Sequence, residues 1–224
     1  MLLSWLLPCR CALCGRESPG PRPRPCPACA ERLQLPPRGL AGEEPLPWWA
    51  AGPYEGNLRR RLLALRQRPE ASALAALVAA LEPRLPPAPQ RPLLVPVPSW
   101  KRQGNPLPPL LSHCLARQLG LVEAPLLARA HPVLGQHHLG RRLRFANQRG
   151  SFLCRRPPRA GEARRRPLLL VDDILTTGAT ALAATEALRG SGWRVEGLLC
   201  LARTPSSGVG RDLRSRRRFG DKPG

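Results

Sequence analysis

Two adjacent carboxylates, Asp172 and Asp173, stand just before a turn rich in hydroxyls, Thr176-Thr177-Gly178-Ala179-Thr180. Carboxylates accept hydrogen bonds from sugar hydroxyls, or approach a Mg²⁺ that a pyrophosphate already holds. Threonine hydroxyls, with the backbone N–H groups at a helix start, cradle a phosphate monoester. The chemistry these residue types support is therefore binding of a sugar phosphate. A carboxylate at this place can also serve only to cap the next helix. Two carboxylates and three threonines exceed what a cap needs. Nothing in the run is a nucleophile or an evident general base, so binding and catalysis remain separate claims.

The flanking sequence supplies the elements that must hold these groups. Residues 168–171 read Leu-Leu-Leu-Val, a continuous apolar run expected of a buried strand in a parallel sheet. An Ala/Leu-rich helix follows to about Leu188. The carboxylates thus fall at the carboxyl end of a strand, where open α/β sheets bind their ligands. A second strand, Leu93 to Val97, runs into a proline turn at Val97-Pro98, with Lys101 and Arg102 shortly after it. Prolines at such places also simply end strands. A third candidate group, Gln136, Arg144, Asn147 and Phe152, lies in a basic stretch over 131–152. Long loops of this kind close over active sites, and Arg144 there would neutralise a leaving pyrophosphate. Spacing alone fits an ordinary solvated basic loop equally well. His131, His137 and His138 have no carboxylate partner in the stretch and are weak evidence for a metal or a base.

The rest of the chain alternates helical and strand patterns. Leu58, Leu62 and Leu65 mark one helix face, and Leu74, Leu77, Val78 and Leu81 another. Leu111, Cys114, Leu115 and Leu119 mark a third. Short strands are expected at 50–54, 126–129 and 195–201. This alternation predicts an α/β domain with a mostly parallel sheet over 50–203. Before it lie an apolar arm and cysteine module (1–33) and a Pro/Gly/Glu-rich connector (34–49); after it comes a basic tail (204–224) without apolar period, expected to be disordered.

Five of the eight cysteines fall between Cys9 and Cys29. Cys11-x2-Cys14 and Cys26-x2-Cys29 are two knuckles offering four thiolates, the donor set of a tetrahedral structural Zn²⁺. Cys9 offers an alternative to Cys11; the spacing of Cys11 matches the second knuckle. Four protein thiolates close the coordination sphere, so such a zinc holds structure and does not hydrolyse.

The 224 residues carry a net charge of +21, and only Lys101 and Lys222 among the 36 basic residues are lysines. Such a charge favours polyanions: nucleic acid, phosphorylated substrates or an anionic membrane face. An Arg-, Leu-, Pro- and Ala-heavy composition can equally reflect a GC-rich gene. No run reaches the ~20 apolar residues of a membrane span. Residues 1–8 are too short for a signal peptide. A cytoplasmic protein that is not integral to a membrane is expected, with cysteines present as thiols or metal ligands.

The run Asp172 to Thr180 resembles the 5-phosphoribosyl-1-pyrophosphate (PRPP) signature of type I phosphoribosyltransferases. The order of all the motifs resembles the ComF/GntX family over 8–203, nearly the whole chain. The matching pieces are the two CxxC knuckles, Tyr54-x-Gly56, Val95-Pro96-Val97-Pro98, the series Gln136, Leu139, Arg144, Asn147, Gly150 and Phe152, and Val171-Asp172-Asp173 with its threonine turn. One stretch departs. After the proline turn the family shows a basic run and R-G-F-N-Q, whereas here Gly104 and Asn105 adjoin without the aromatic.

The resemblance implies a type I phosphoribosyltransferase core with a small N-terminal zinc module. It implies a PRPP or other sugar-phosphate site with Mg²⁺, formed by Asp172, Asp173, Thr176, Thr177, Gly178, Ala179, Thr180, Val97, Pro98, Lys101 and Arg102. Arg144 is expected to assist any catalysis with the two aspartates. A competence role is also implied: handling single-stranded DNA on the cytoplasmic side of the inner membrane, beside a DNA-translocating ATPase. The alternative is an active phosphoribosyltransferase acting on an amine or a nucleobase. Trp48, Trp49 and Trp100 are the candidate stacking platforms for single strands.

Overall fold

A computed structural model describes residues 9–18, 24–81, 91–99, 104–130 and 150–205. The apolar arm at 1–8, Trp100, Lys101, Arg102, the stretch 131–149 with Gln136, Arg144, Asn147 and the three histidines, and the tail from 206 lie outside them. So does the side chain of Cys9.

The sheet is built on the apolar runs. It contains β3 (Leu40–Gly42), β4 (Trp48–Pro53), β5 (Leu93–Pro96), β6 (Val122–Glu123), β9 (Leu168–Val171), β10 (Ile174–Leu175) and β11 (Val195–Arg203). The spatial order is β3-β4-β11-β9-β5-β6, with β10 also on β11. Every pairing is parallel except β3 with β4. The expected α/β class with a mostly parallel sheet is therefore what the chain forms.

Helices cover both faces, which is why the central strands are apolar throughout. On one face lie α2 (Gly56–Gln67), α3 (Ala71–Leu81) and α4 (Leu107–Leu119). Their Leu58, Leu62, Leu65, Leu74, Leu77, Leu111 and Leu115 pack with Leu169 and Val171 of β9. On the other face, α6 (Ala179–Gly190) packs Ala184 and Leu188 against Leu168 and Leu170. An antiparallel arm of β7 (Leu127–Arg129) and β8 (Phe152–Cys154) joins this second core through Leu127 and Phe152. A short α5 (Glu162–Arg165) precedes β9. Strand alternation therefore assigns odd and even residues of β9 to different cores.

Two expectations change. The connector at 34–49 carries the edge strand β3 and the buried Leu46. Its proline and glycine content hid a strand of only three residues. Trp48 and Trp49 are not presented platforms: both are half-buried in β4. A Cβ on Gly42 would meet the Trp48 ring at 2.6 Å, and one on Gly197 would meet the Trp49 ring at 2.6 Å. Glycines opposite the two rings let them lie flat on neighbouring backbone.

The N-terminal module pairs β1 (Cys9–Arg10) with β2 (Glu17–Ser18) and adds α1 (Pro27–Arg32). Leu33 and Leu35, just past α1, enter the core of the α2–α4 face. The Asn57 side-chain amide donates to the Arg32 carbonyl at 2.9 Å, fixing the module on the start of α2.

Candidate functional site

The carboxyl ends of β5, β9, β10 and β11 converge on the motif residues. Between β9 and β10 the strand is interrupted at Asp172 and Asp173. The Asp173 carbonyl accepts from both Leu201 and Ala202 N–H groups, at 3.0 and 3.1 Å. This doubled contact marks an irregularity of the ladder at Asp173.

Asp173 goes to the α2–α4 side. It is 2 % exposed, and both its oxygens are taken. Arg66 of α2 donates through Nε to Oδ2 at 2.6 Å and through Nη2 to Oδ1 at 3.0 Å. Asn105 donates through Nδ2 to Oδ2 at 2.8 Å. Burial alone would lower the Arg66 pKa, but the bonds to Asp173 outweigh it and raise it. A paired, hydrogen-bonded carboxylate of this kind is a structural anchor.

Asp172 remains half-buried at the strand end. Its Oδ1 accepts the Asp173 N–H at 2.8 Å. Desolvation, then the neighbouring Asp173 charge, pushes its carboxyl well above the usual carboxylate range. The buried Cys200 thiol is pushed up as well, by burial and next by Asp172. A group with these neighbours gains from a cation or a hydroxyl donor delivered by a ligand.

The threonine turn follows. Gly178 sits at φ +81°, in the left-handed region, and caps α6. A Cβ there would overlap the Pro45 ring, so any side chain at this position strains the turn. Arg203 holds the turn from behind: its Nη1 donates to the Leu175 carbonyl at 3.2 Å, to the Thr176 carbonyl, and to the Thr204 carbonyl at 2.9 Å. Its guanidinium also lies 5.6 Å from the Trp48 ring centre. With those carbonyls tied back, the N-terminus of α6 offers its N–H groups with the half-buried Thr177 and Thr180 and the exposed Thr176.

At β5, Val97 is buried and its N–H donates to the Val171 carbonyl at 2.9 Å, extending the strand by one residue. The turn at Pro98 and Ser99 is tied to Asn105, whose N–H donates to Ser99 Oγ at 3.0 Å. The Leu107 N–H in turn donates to Asn105 Oδ1 at 3.2 Å. Asn105 thus joins the β5 turn, the start of α4 and Asp173. Arg129 reaches the same turn from β7. The motifs pointed to Asp172, Asp173, Val97, Pro98 and residues 176–180, and the structure brings these together. Arg66, Asn105, Arg129 and Arg203 carry no local signal, apart from the Asn105 that remains where the family pattern breaks.

The cysteine centre lies apart. The Sγ atoms of Cys11, Cys14, Cys26 and Cys29 all fall within 4.8 Å of one another. Cys14 and Cys26 sulfurs are 3.7 Å apart, close to the ~3.8 Å edge of a tetrahedron with ~2.3 Å Zn–S bonds. The Cys26 N–H points at Cys11 Sγ at 3.3 Å, the knuckle arrangement that stabilises a thiolate. Burial raises the Cys11 pKa, yet N–H donors from Cys26, Leu13 and Cys14 outweigh it and bring it to about 6. Burial and its neighbouring thiols push Cys29 to about 12. The four residues fit zinc, which would bind their thiolates and tie the two knuckles together.

Fold and site define an α/β protein with a parallel sheet, a candidate ligand site at its carboxyl edge and a four-cysteine module. Among the described residues no helix is long and apolar enough to cross a membrane. No protein-family profile matches the chain. It is 30 % identical over 213 residues to the DNA utilization protein YhgH of Salmonella typhi, covering 87 % of this chain and 90 % of that protein. The protein of the same name from Salmonella typhimurium is 30 % identical over 210 residues, with the same coverage. The chain belongs to the family of the DNA utilization protein YhgH.

Proposed function

We propose that this chain is a ComF/GntX-type protein that handles single-stranded DNA for utilisation and retains a PRPP·Mg²⁺ pocket. The observation that carries the pocket is the strand break at Asp172–Asp173, joined to a threonine turn that Gly178 and Arg203 fix in place. Thr176, Thr177, Gly178, Ala179 and Thr180 receive the 5-phosphate. Asp172 receives the ribose hydroxyls and Mg²⁺, while Asp173 keeps the site's shape. Val97 and Pro98 face the pyrophosphate, and Lys101 and Arg102, outside the described residues, supply positive charge for it.

The DNA role is supported by the names of the Salmonella relatives. Arg32, Arg59 and Arg60 are exposed on α1 and α2, and Arg60 bonds Asn57 where the cysteine module meets α2. Arginines on such a surface follow a phosphate backbone, and affinity then falls steeply with salt. The protein works in the cytoplasm, at the inner face of the membrane beside a DNA-translocating ATPase. The proposed division is a zinc module over 1–33, a pocket domain over 50–203 to which residues 34–49 add the edge strand β3, and a basic tail. The test is binding of labelled single strands across a salt series. Binding no tighter than that of a generic protein of equal charge contradicts the DNA role.

A second reading is an active phosphoribosyltransferase. The bond from C1 of the ribose to pyrophosphate breaks and one from C1 to an acceptor nitrogen forms. The half-buried Asp172 favours it, since a carboxylate beside the ribose steadies a cationic transition state. Arg144 would aid the leaving group. Pyrophosphate release with candidate amines and nucleobases tests it.

A further inference from the structure

Arg129 is the residue at which segments of the site meet, although no motif includes it. It ends β7, and its Nε donates to the Pro98 carbonyl at 3.0 Å. Its Nη1 donates to Ser151 Oγ at 3.3 Å. The guanidinium carbon lies 4.0 Å from the centre of the Phe152 ring. Ser151 and Phe152 are buried, at 2 % and 4 % exposure. Desolvation pulls the Arg129 pKa down to about 10, with the Asp172 charge acting in the opposite direction. It therefore keeps its proton at neutral pH and remains a half-buried cation close to Asp172.

The Pro98–Ser99 peptide is planar, so its carbonyl and N–H point in opposite directions. An arginine that binds the Pro98 carbonyl consequently sets where the Ser99 N–H points. The turn is pinned on its other side by the Asn105 N–H on Ser99 Oγ. A planar guanidinium can stack on Phe152 and donate to two oxygens at once; an ammonium cannot do both. The opposite end of the site, the threonine turn, is held by Arg203.

We propose that Arg129 is the positioning residue of the β5 turn, and that through it the site selects sugar phosphates bearing a second anionic group near the β5 turn over sugar monophosphates. This rests on the pocket reading given above. The two ends of the site then have separate supports: Arg203 behind the monophosphate turn, and Arg129 behind the turn that meets the second anion.

The experiment is calorimetric titration of PRPP with Mg²⁺, and separately of ribose 5-phosphate, into wild type, Arg129→Gln and Arg129→Lys. The wild type is expected to bind PRPP more tightly than ribose 5-phosphate. Arg129→Gln is expected to weaken PRPP at least tenfold and to leave ribose 5-phosphate within twofold. Arg129→Lys, which keeps the charge and a better chance of folding, is expected to fall between on PRPP. Equal losses for the two ligands, or no loss for either, overturn the inference and leave the pocket reading standing. A wild type that binds neither ligand removes the pocket reading and this inference with it.

Discussion

Arg66 and Asp173 stand 107 positions apart in sequence and meet through two hydrogen bonds of 2.6 and 3.0 Å. Asp173 is buried, while the Arg66 side chain is a third exposed. The pair ties α2 to the break between β9 and β10, and so ties the helix that carries the cysteine module to the candidate ligand site. Removing Asp173 leaves Arg66 and Asn105 without their acceptor. Breaking a buried pair from one side costs about 3–5 kcal/mol, and the exposure of Arg66 places Asp173→Ala at about 3 kcal/mol. Urea unfolding of the single and double variants with Arg66→Ala checks this; the double variant is expected to lose less than the two singles combined.

Asp172 behaves oppositely. Its carboxyl is raised in the folded protein, so the folded state holds that proton more tightly than the unfolded chain does. The resulting contribution to stability is fully present below the unfolded value of about 3.9 and is lost as pH rises through the raised one. Ionising the group therefore burdens the ligand-free fold. Asp172→Asn is therefore expected to melt at or above the wild-type temperature at pH 7 and to flatten the decline in stability from acid towards neutral pH. Thermal melts across that range check it, and a lower melting temperature at pH 7 would count against it.

Gly178 is constrained twice, by φ +81° and by Pro45. Left-handed backbone costs an L-residue about 1–2 kcal/mol, and overlap with a packed ring adds about 1–3 kcal/mol. Gly178→Ala is expected to keep the fold, lower its melting temperature and weaken ribose 5-phosphate binding more than tenfold. Arg203→Gln, which frees the carbonyls of Leu175 and Thr176, is expected to weaken the same ligand with a smaller stability loss. Titration and melting of the two variants together separate the effects.

The cysteine centre is expected to hold about one zinc per chain. Cys26→Ser removes a buried donor at the start of α1 and is expected to lose the metal. Leu33 and Leu35 anchor the module in the main core, so chelation should lower the melting temperature of the whole protein. Metal analysis with paired melts in and out of chelator checks both statements.

The parts of this fold that are long and periodic could be read from the sequence. Leu58, Leu62 and Leu65 announced α2, and the run 168–171 announced β9. Strands of two or three residues, β3, β6, β8 and β10, leave too little pattern to read. The motif residues stood out in the sequence because the chemistry their types suggest is local. Their supports were not: Arg66, Arg129 and Arg203 are individually indistinguishable in a chain crowded with arginine, and only tertiary contact separates an anchor from a solvated side chain. The adjacency of Asp172 and Asp173 suggested one shared task, whereas the bonds from Arg66 and Asn105 go to Asp173.

Asp172 and the threonine turn are proposed to form a live sugar-phosphate pocket. Calorimetric titration of PRPP with Mg²⁺ into wild type and Asp172→Asn tests it most directly, since this substitution leaves the Arg66–Asp173 anchor intact. Saturable binding to the wild type, lost or weakened more than tenfold in a folded Asp172→Asn, is the result predicted. No binding by the wild type, or equal binding by both proteins, would contradict it.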